Sequence, residues 1–282
     1  MPYPRKRFGQ HWLKDASVHE TILRAANLDP AQAGVDPIWV LEIGPGTGQL
    51  TQRLLTRGVQ VLAVEIDRDL CRLLHKRFAD QPHFHLVEGD FLRLPLPKEP
   101  RLLVANIPYN LTSPILEKVL GSPAHPVQQF ERIVLLVQKE LAERLQATPG
   151  SKAYGAMSLR TRYLAECELI CTVPRSAFKP SPKVESAVIR LSPRPAPTPA
   201  RDPRWFNQLI QQGFSTRRKK LLNALQGLVE RELLSAALTQ LNLNPDARAE
   251  ELDLPDWLAL SDLLLDEVER TTLAHCQGEE SR

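Results

Sequence analysis

Four consecutive residues, Asn106-Ile-Pro-Tyr109, combine polar and aromatic groups that could hold a flat, polar ring. The amide of Asn106 offers one acceptor and two donors in a single plane, and the phenol ring of Tyr109 offers a face for stacking. Pro108 fixes its own φ angle and biases Ile107 toward an extended backbone, which keeps the two groups at a set separation. The segment predicts a clamp for the exocyclic amine of a nucleobase, although an ordinary turn after a strand could contain the same residues.

A glycine-rich turn lies upstream, in the segment Leu41-Glu-Ile-Gly-Pro-Gly-Thr-Gly48. Glycine lets a backbone turn tightly and approach a ligand closely, and such a turn between a strand and a helix forms the ligand crevice of doubly wound α/β folds. Its glycines do not follow the G-x-G-x-x-G spacing that binds a pyrophosphate. Glu42 would repel a phosphate, but it suits a ligand that carries a sulfonium cation and an amino group.

Acidic residues follow the next two predicted strands. Glu65 lies at the end of the second strand, where a carboxylate can accept hydrogen bonds from both ribose hydroxyls. Asp90 lies at the end of the third, where it can accept a hydrogen bond from an adenine amino group. Taken singly, Glu65 could be a helix cap or a surface acid, and Asp90 could be a turn residue. Beside the glycine turn, the two acids predict S-adenosylmethionine as the cofactor.

The elements that must position these residues alternate along the chain. Apolar runs predict strands at 38–43, 59–66, 84–87, 101–105 and 133–137, and amphipathic stretches predict helices near 48–57, 67–78, 112–120 and 138–147. Such alternation is typical of a parallel sheet that is covered on both faces. Two further strands, at 167–173 and 184–191, are joined by a loop too short for a crossover helix and should be antiparallel. We therefore expect an α/β, Rossmann-like fold with a mostly parallel, seven-stranded sheet.

Prolines mark the boundary of a second region. Residues 192–203 contain five prolines in twelve positions, which predicts a stiff, extended linker. The sequence after the linker has helical patterns and no β-rich run. We therefore expect a first domain at 1–191 and a small, all-α domain at 204–282.

The net charge of +3 is unevenly distributed. Residues 246–282 contain 11 acidic and 3 basic residues, a local charge of −8, so residues 1–245 carry +11. The basic residues form three groups: Arg5-Lys6-Arg7; Arg175, Lys179 and Lys183; and Arg217-Arg218-Lys219-Lys220. Any single group could be ordinary solvated surface. Three of them predict a surface that binds nucleic-acid phosphates.

The cysteines and the apolar runs indicate the compartment. The four cysteines do not form the two closely spaced pairs of Cys or His that are typical of a zinc site. We therefore expect buried thiols and no metal. No apolar run approaches the roughly 18 residues of a membrane span, and the N-terminus lacks the apolar stretch of a secretory signal. These features predict a cytoplasmic protein that does not bind membranes and that we expect to be monomeric.

Taken in order, these motifs resemble those of the ribosomal RNA adenine dimethyltransferases, and within that family the bacterial small-subunit group. The resemblance covers nearly the whole chain. Besides the turn, the two acids and Asn106–Tyr109, it includes Arg7-Phe-Gly-Gln-His-Trp-Leu13, Gln138-Lys-Glu140, Ala177-Phe-Lys-Pro-Ser-Pro-Lys-Val184 and Phe214-Ser-Thr-Arg-Arg-Lys-Lys-Leu-Leu-Asn223. It implies a class I methyltransferase domain followed by a helical domain that docks on RNA.

The resemblance also implies a set of cofactor contacts. With those of the glycine turn, the expected cofactor-binding residues are His11, Leu13, Glu42, Gly44, Gly46, Gly48, Glu65, Asp90 and Asn106. Two positions depart from the usual family pattern. His11 stands where the family usually has Asn, and its imidazole can still make one hydrogen bond. Trp12 stands in place of the usual Phe, a change that should preserve packing.

The implied reaction is N6,N6-dimethylation of two adjacent adenosines in the 3′-terminal hairpin of 16S ribosomal RNA, within an assembling small subunit. Asn106 Oδ1 and a backbone carbonyl near Pro108 would accept the two amino hydrogens, and Tyr109 would stack on the base. Phe178 resembles the family's second aromatic and would cover the other face, although it could instead be a core aromatic. The expected contacts with the RNA backbone are Lys179, Lys183, Arg217, Arg218, Lys219 and Lys220.

Three other functions remain open or are excluded at this point. A related enzyme of the large subunit, of the type that confers macrolide resistance, would have the same active-site motifs. A non-catalytic RNA-binding relative is the second alternative, but it would have no need to keep Asn106, Tyr109 and Glu65. A nicotinamide dehydrogenase is disfavoured by the glycine spacing and by Glu42.

Overall fold

A computed structural model describes residues 5, 10–28, 37–216 and 218–279, with side chains described as far as residue 266. Lys6 and Arg7 belong to the first basic group, residues 7–9 begin the N-terminal motif, and Arg217 belongs to the third basic group. All of them lie outside the described residues.

The strands and helices of the described chain follow one another as the sequence predicts, with some additions. The strands are β1 (Trp12–Leu13), β2 (Trp39–Ile43), β3 (Gln60–Glu65), β4 (Phe84–Glu88), β5 (Leu102–Asn106), β6 (Gly121–Ser122), β7 (His125–Pro126), β8 (Arg132–Gln138), β9 (Ala165–Val173), β10 (Phe178–Lys179) and β11 (Ser186–Pro193). The helices are α1 (Ala16–Ala25), α2 (Gln49–Thr56), α3 (Arg68–Arg77), α4 (Thr112–Leu120), α5 (Lys139–Gln146), α6 (Ala156–Leu164), α7 (Pro203–Gly213), α8 (Leu221–Ala224), α9 (Arg231–Gln240) and α10 (Leu254–Glu279).

Seven strands form the central sheet, in the order β4-β3-β2-β5-β8-β11-β9. The first five are parallel, and β11 runs antiparallel to both β8 and β9. Because β2 has β3 on one side and β5 on the other, the order of the strands reverses beside β2, which is where open α/β sheets bind ligands. The predicted fold class, including the antiparallel pair, is confirmed.

The central strands are apolar on both faces because helices cover both sides of the sheet. In β5 the apolar run 102–105 is buried throughout, and in β8 the run 133–137 is completely buried. A half-solvated strand would alternate apolar and polar residues instead. The sequence could therefore identify these strands from unbroken runs of Val, Ile, Leu and Ala.

Short polar residues start the helices that follow the strands. The carboxylate of Asp67 accepts a hydrogen bond from the backbone N–H of Asp69 at 3.0 Å and caps α3. The carboxylate of Asp15 caps α1 in the same way, at 2.9 Å from the N–H of Ser17. Such caps satisfy N–H groups that the first helical turn leaves without partners.

Contacts divide the chain into two compact units. Unit 1 comprises Met1–Gly121, Val127–Glu143 and Ala165–Arg194, and it contains the central sheet. Unit 2 comprises Ser122–Pro126, Arg144–Leu164 and Pro195–Arg282, and its core includes the fully buried Trp257. The grouping differs from the predicted division at 192–203 in that α6 belongs to unit 2. The roles assigned to the two domains stay predictions.

The described part of the chain contains no helix that is long and apolar enough to cross a membrane. Within the same residues, no three His, Cys, Asp or Glu side chains are grouped closely enough to bind a metal ion. Cys71 is buried, as expected. Cys167 and Cys171 are only partly buried, because β9 is the last strand of the sheet and one of its sides is open.

Candidate active site

A cavity of about 270 Å³ lies at the carboxyl edge of the parallel strands. This volume is near the lower end of the range for small-molecule sites, about 300–1,000 Å³. Segment 10–13, the glycine turn, and the residues after β3, β4 and β5 form its walls. The predicted residues that line it are His11, Leu13, Glu42, Gly44, Gly46, Glu65, Asp90, Asn106, Pro108 and Tyr109. Gly48 and Phe178 are not among its lining residues.

The glycine turn needs glycine for two different reasons. Gly44, Gly46 and Gly48 all have left-handed backbone angles, with φ values of 65°, 59° and 78°. A Cβ on Gly48 would lie 2.7 Å from the ring of Phe78, so this glycine permits close packing of α2 on α3 rather than contact with a ligand. Gly44 and Gly46 line the cavity and can expose their backbone to a bound molecule.

Trp12 lies against the glycine turn, and its indole nitrogen is a hydrogen-bond donor. A Cβ on Gly46 would lie 3.2 Å from the indole Nε1 of Trp12, so the two residues are in close contact. The indole N–H is buried and has no hydrogen-bond partner among the described residues. A buried donor without an acceptor is destabilising, by about 1–3 kcal/mol. An acceptor such as a ligand carboxylate beside the turn would satisfy it.

Burial changes the charge of Glu42. The side chain is almost completely buried at the end of β2 and accepts a hydrogen bond from Thr51 Oγ1 at 2.6 Å. Loss of solvation raises the pKa of Glu42 to about 8, and the negative charge of Glu65 adds to the effect. Glu42 is therefore mainly protonated at pH 7. A cation bound beside Glu42 would favour the charged carboxylate and so lower this pKa again. The predicted attraction between Glu42 and a cation depends on that change.

Glu65 connects two walls of the cavity. Its Oε1 accepts a hydrogen bond from the N–H of Asp67 at 2.9 Å, and its Oε2 accepts one from the N–H of Gly46 at 3.2 Å. Burial raises the pKa of Glu65, and these backbone donors oppose that effect. Each carboxylate oxygen has two lone pairs, so Glu65 can accept further hydrogen bonds from a ligand hydroxyl.

The loop after β4 is held in place by a lysine from α4. The Nζ of Lys118 donates to the carbonyl of Phe91 at 2.5 Å and lies 4.8 Å from the centre of the Phe91 ring. In the same loop, Asp90 Oδ1 accepts a hydrogen bond from the N–H of Leu92 at 3.0 Å. These contacts fix the position of Asp90 at the cavity wall, where the sequence predicts a base-binding carboxylate.

Apolar residues that accompany the acids also line the cavity and are not among the predicted site residues. Ile66 follows Glu65, lines the cavity and is 45% exposed, which is unusual for a large aliphatic side chain in a strand-to-helix turn. Phe91 and Leu92 follow Asp90 and also line the cavity. An apolar residue directly after each acid was the available signal, since flat rings bind between apolar surfaces.

The amide of Asn106 has a fixed orientation. Its Nδ2 donates to the backbone carbonyl of His11 at 3.0 Å, and a carbonyl can only accept hydrogen bonds. The Oδ1 is therefore the part of the amide that is left for another partner. Because Asn106 lines the cavity, this oxygen can act as an acceptor for a ligand amine.

Tyr109 and His11 stack on each other beside Asn106. Their ring centres are 5.7 Å apart and their planes differ by 19°. The phenol oxygen of Tyr109 is 2.7 Å from Ser186 Oγ, and burial raises the pKa of Tyr109, so the phenol is neutral at physiological pH. His11 Nδ1 lies 2.9 Å from the carbonyl of Pro180. The described contacts of His11 are thus with the clamp residues and with the loop after β10.

Phe178 lies in the core of unit 1. It pairs with Leu13 across the short β1–β10 ladder and is 3% exposed. The sequence allowed both a stacking role and a core role for this residue, and its burial here matches the core role. Lys179 and Lys183 lie next to it along the chain and are exposed.

The third basic group precedes a helix in unit 2. Arg218, Lys219 and Lys220 are exposed in the turn that leads into α8. Lys220 Nζ forms an ion pair with Asp246 Oδ1 at 2.8 Å, which lowers its availability for phosphate. The predicted contacts of these residues with RNA stay predictions.

The cavity as a whole combines the groups that a nucleoside and an amine substrate would need. Carboxylates at the ends of β3 and β4 can accept from hydroxyl and amino groups, and Trp12 offers a donor that no described residue uses. On another wall, Asn106 offers an oriented acceptor and Tyr109 offers a ring face. The residues therefore fit a nucleoside cofactor beside a flat substrate amine.

Comparisons with known proteins agree with this geometry. The family described as ribosomal RNA adenine dimethylase matches residues 3–266. The chain is 79% identical over 280 residues to the "Ribosomal RNA small subunit methyltransferase A" of Synechococcus sp. (strain JA-2-3B'a(2-13)), which covers 99% of both chains. It is 54% identical over 270 residues to the protein of the same name from Acaryochloris marina, with 93% of this chain and 97% of the relative covered.

Two solved structures resemble the protein over most of its length. A dimethyladenosine transferase from Plasmodium falciparum superposes with a TM-score of 0.72 at 27% identity and covers 89% of this chain and 96% of its own. The 23S rRNA methyltransferase ErmE superposes with a TM-score of 0.69 at 29% identity. The match covers 90% of this chain and 99% of the ErmE chain. The sheet, the cavity at its carboxyl edge and the family match over residues 3–266 lead to one conclusion. The chain belongs to the ribosomal RNA adenine dimethylase family.

Proposed function

We propose that the chain transfers methyl groups from S-adenosylmethionine to N6 of two adjacent adenosines in the 3′-terminal hairpin of 16S ribosomal RNA. The product would be two N6,N6-dimethyladenosines in an assembling small subunit. Family membership supports the reaction. The printed names of the relatives, at 79% and 54% identity over nearly their whole length, support the small-subunit substrate.

The orientation of Asn106 is the observation that carries this proposal. An amide whose Nδ2 is bound to the carbonyl of His11 presents Oδ1 to a ligand. The partner that suits this oxygen is a hydrogen-bond donor such as the exocyclic amine of adenine. A base carbonyl would instead place two acceptor oxygens against each other, which is repulsive. Asn106 thus suits an amino group as the methyl acceptor.

The cofactor would be held by residues of the other walls. Glu65 would accept from the ribose hydroxyls, Asp90 from the adenine amino group, and Trp12 would donate to the carboxylate of the amino-acid part. A Cβ on Gly44 would meet no described atom within 4 Å, so Gly44 leaves room for the ligand beside its backbone. When bound, S-adenosylmethionine supplies an electrophilic methyl group on a positively charged sulfur.

The protein's own contribution to the chemistry is orientation. Asn106 Oδ1 and a backbone carbonyl near Pro108 would accept the two amino hydrogens and direct the nitrogen lone pair toward the methyl group. Tyr109 would stack on the base and fix its plane. Holding the reactants in line gives most of the rate gain, and dipoles set in advance add to it. The proton can leave to water after transfer, so no residue needs to act as a base.

The target adenosine must leave its stack to enter the cavity, which costs a few kcal/mol. Tyr109 would offset part of this cost by stacking. Covering of the second face by Phe178 would require its ring to leave the core, and this role stays a prediction. Lys179, Lys183 and the third basic group would bind phosphates and contribute affinity without sequence readout.

The experiment uses purified protein, labelled S-adenosylmethionine, and small and large ribosomal subunits that lack these methyl groups. We expect label in the small subunit alone, and mass spectrometry should find two adjacent dimethyladenosines near the 3′ end of its RNA. Label in the large subunit instead would favour the alternative that the likeness to ErmE raises. RNA binding without any methyl transfer would indicate a non-catalytic relative.

A further inference from the structure

Ser186, a residue outside the cavity lining, makes a hydrogen bond to the side chain of Tyr109 in the proposed base clamp. Its Oγ lies 2.7 Å from the phenol oxygen of Tyr109, although 77 positions separate them in the sequence. Ser186 has no exposed surface, and it does not line the cavity. It therefore acts on a ligand only through another residue.

The backbone of Ser186 is held on both sides. It is the first residue of β11 and pairs with Gln138 of β8 on one side and with Val173 of β9 on the other. A hydroxyl on a strand that is paired on both sides is a stiff anchor, because the two ladders restrain its main chain. By contrast, Tyr109 begins a single 3₁₀ turn, Tyr109–Leu111, which has few hydrogen bonds of its own.

The anchor restrains the ring at its far end. A tyrosine side chain can change its tilt by rotation about two bonds, and a hydrogen bond at the phenol oxygen opposes this rotation. His11 lies along one face of the same ring, with its plane at 19°, and is itself within 2.9 Å of the carbonyl of Pro180. The ring is thus restrained at its tip and on one face while it lines the cavity.

We propose that Ser186 is a positioning residue that sets the plane of Tyr109 before the target base arrives. Ordering the ring in advance removes an entropic cost that would otherwise be met when the base binds. The inference rests on the proposed function, since it assigns Tyr109 to base stacking. It adds Ser186, a residue with no ligand contact, to the set that determines the rate of methyl transfer.

The test compares Ser186→Ala, Tyr109→Phe and the double variant with the wild type, on small subunits that lack the methyl groups. Each single change removes the same hydrogen bond and leaves the phenyl ring in place. We expect kcat to fall about threefold to tenfold in each single variant. The double variant should lose no more than either single variant, because both changes remove one interaction.

Two further readouts separate positioning from a loss of structure. Calorimetry should give an unchanged Kd for S-adenosylhomocysteine, and the KM for the subunit should stay close to the wild-type value. Ser158→Ala is the matched control: Ser158 is also fully buried, and its Oγ donates to the carbonyl of Arg144 at 2.5 Å, but it does not line the cavity. It should lower the melting temperature without lowering kcat.

Each other outcome overturns the inference. An unchanged kcat in Ser186→Ala, additive losses in the double variant, or an equal loss of cofactor affinity would each show that Ser186 does not act through Tyr109. A wild-type protein that methylates neither subunit removes the proposed function and this inference together. An active wild type with an unaffected Ser186→Ala removes this inference alone.

Discussion

At the scale of single residues, the site is defined by which donors and acceptors are already used. Asn106 has its donor bound by a main-chain carbonyl, so its acceptor is available. Trp12 has a buried donor beside the glycine turn that finds no acceptor in the part of the chain that the structure describes. Each residue therefore predicts the chemistry of the ligand group that should lie next to it.

Asn106→Ala should lower kcat by about 100- to 1,000-fold, since removal of one oriented polar group in an active site has effects of this size. Affinity for the cofactor should change only modestly, because Glu65, Asp90 and the glycine turn remain. Single-turnover methylation and calorimetry with S-adenosylhomocysteine measure the two quantities. Asn244→Ala, at an exposed position outside the cavity, is the control. Retained methylation by Asn106→Ala would exclude the assigned role.

Trp12→Phe keeps an aromatic ring against Gly46 but removes the N–H donor. We expect affinity for S-adenosylhomocysteine to fall about 10- to 100-fold, because a hydrogen bond to a charged group contributes about 1.5–3 kcal/mol. Affinity for 5′-methylthioadenosine, which has no carboxylate, should not change. An equal loss for both ligands would mean that the indole contributes packing and not a hydrogen bond.

Sequence patterns found residues more readily than their contacts. The glycine turn, Glu65, Asp90 and Asn106 were predictable, because each follows a recognisable apolar run. The bond from Asn106 to His11 spans 95 positions, and that from Tyr109 to Ser186 spans 77. No local pattern encodes such pairs, since they depend on how strands are ordered in the sheet. The burial of Phe178 follows from the β1–β10 ladder, whose strands have two residues each and are too short to be recognised.

At the scale of elements, the connection from β2 to α2 determines both the shape of the cavity and part of the stability of unit 1. Gly48 starts α2 in a left-handed conformation and packs on Phe78 of the α3 end. Thr51 of α2 donates to the buried carboxyl group of Glu42 in β2. The helix is thus joined to the sheet by one close apolar contact and one polar contact.

Gly48→Ala should destabilise the protein much more than Gly58→Ala. Both glycines have φ near 75°, so both substitutions add backbone strain of about 1 kcal/mol. A Cβ at Gly58 would meet nothing within 4 Å, whereas one at Gly48 would lie 2.7 Å from Phe78. Urea unfolding should therefore give an excess loss of about 1–3 kcal/mol for Gly48→Ala. Equal losses would mean that the Phe78 ring moves aside freely.

Glu42 predicts how stability depends on pH. Its pKa in the folded protein is about 8, against an ordinary value of 4.5, so between these pH values unfolding releases a proton. Stability should fall as pH rises through this window, by on the order of 5 kcal/mol in total, with little further loss above about pH 8. Glu42→Gln, which can still accept from Thr51, should lack this dependence. Urea unfolding of both proteins at pH 5, 7 and 8.5 makes the comparison, and parallel curves would contradict it.

At the scale of the whole molecule, charge is separated along the chain. Residues 246–282 carry a net charge of −8 and residues 1–245 carry +11. Lys179 and Lys183 are exposed in the loop of unit 1 that also contains Pro180, the partner of His11. This loop therefore connects a basic surface to the proposed base clamp.

Substitution of both Lys179 and Lys183 by Ala should weaken binding to small-subunit RNA and should reduce its dependence on salt. Each phosphate contact that is lost lowers the slope of log K against log[salt] by about 1. Lys76→Ala, at an exposed position of α3, should leave the slope unchanged. Filter binding between 50 and 200 mM salt measures both effects, and an unchanged slope in the double variant would place the phosphates elsewhere.

In the proposed reaction, the hydrogen bond between Asn106 and His11 would also affect how long the base stays bound after each methyl transfer. Because the amide faces a substrate with its oxygen alone, recognition depends on hydrogens that the substrate nitrogen still carries. Each methyl transfer replaces one of these hydrogens, so the base would make one hydrogen bond fewer after each transfer. After the second transfer the nitrogen carries no hydrogen, so the dimethylated base would no longer donate a hydrogen bond to Asn106. In the proposed reaction, the orientation that the His11 carbonyl gives to Asn106 would thereby favour release of the dimethylated product.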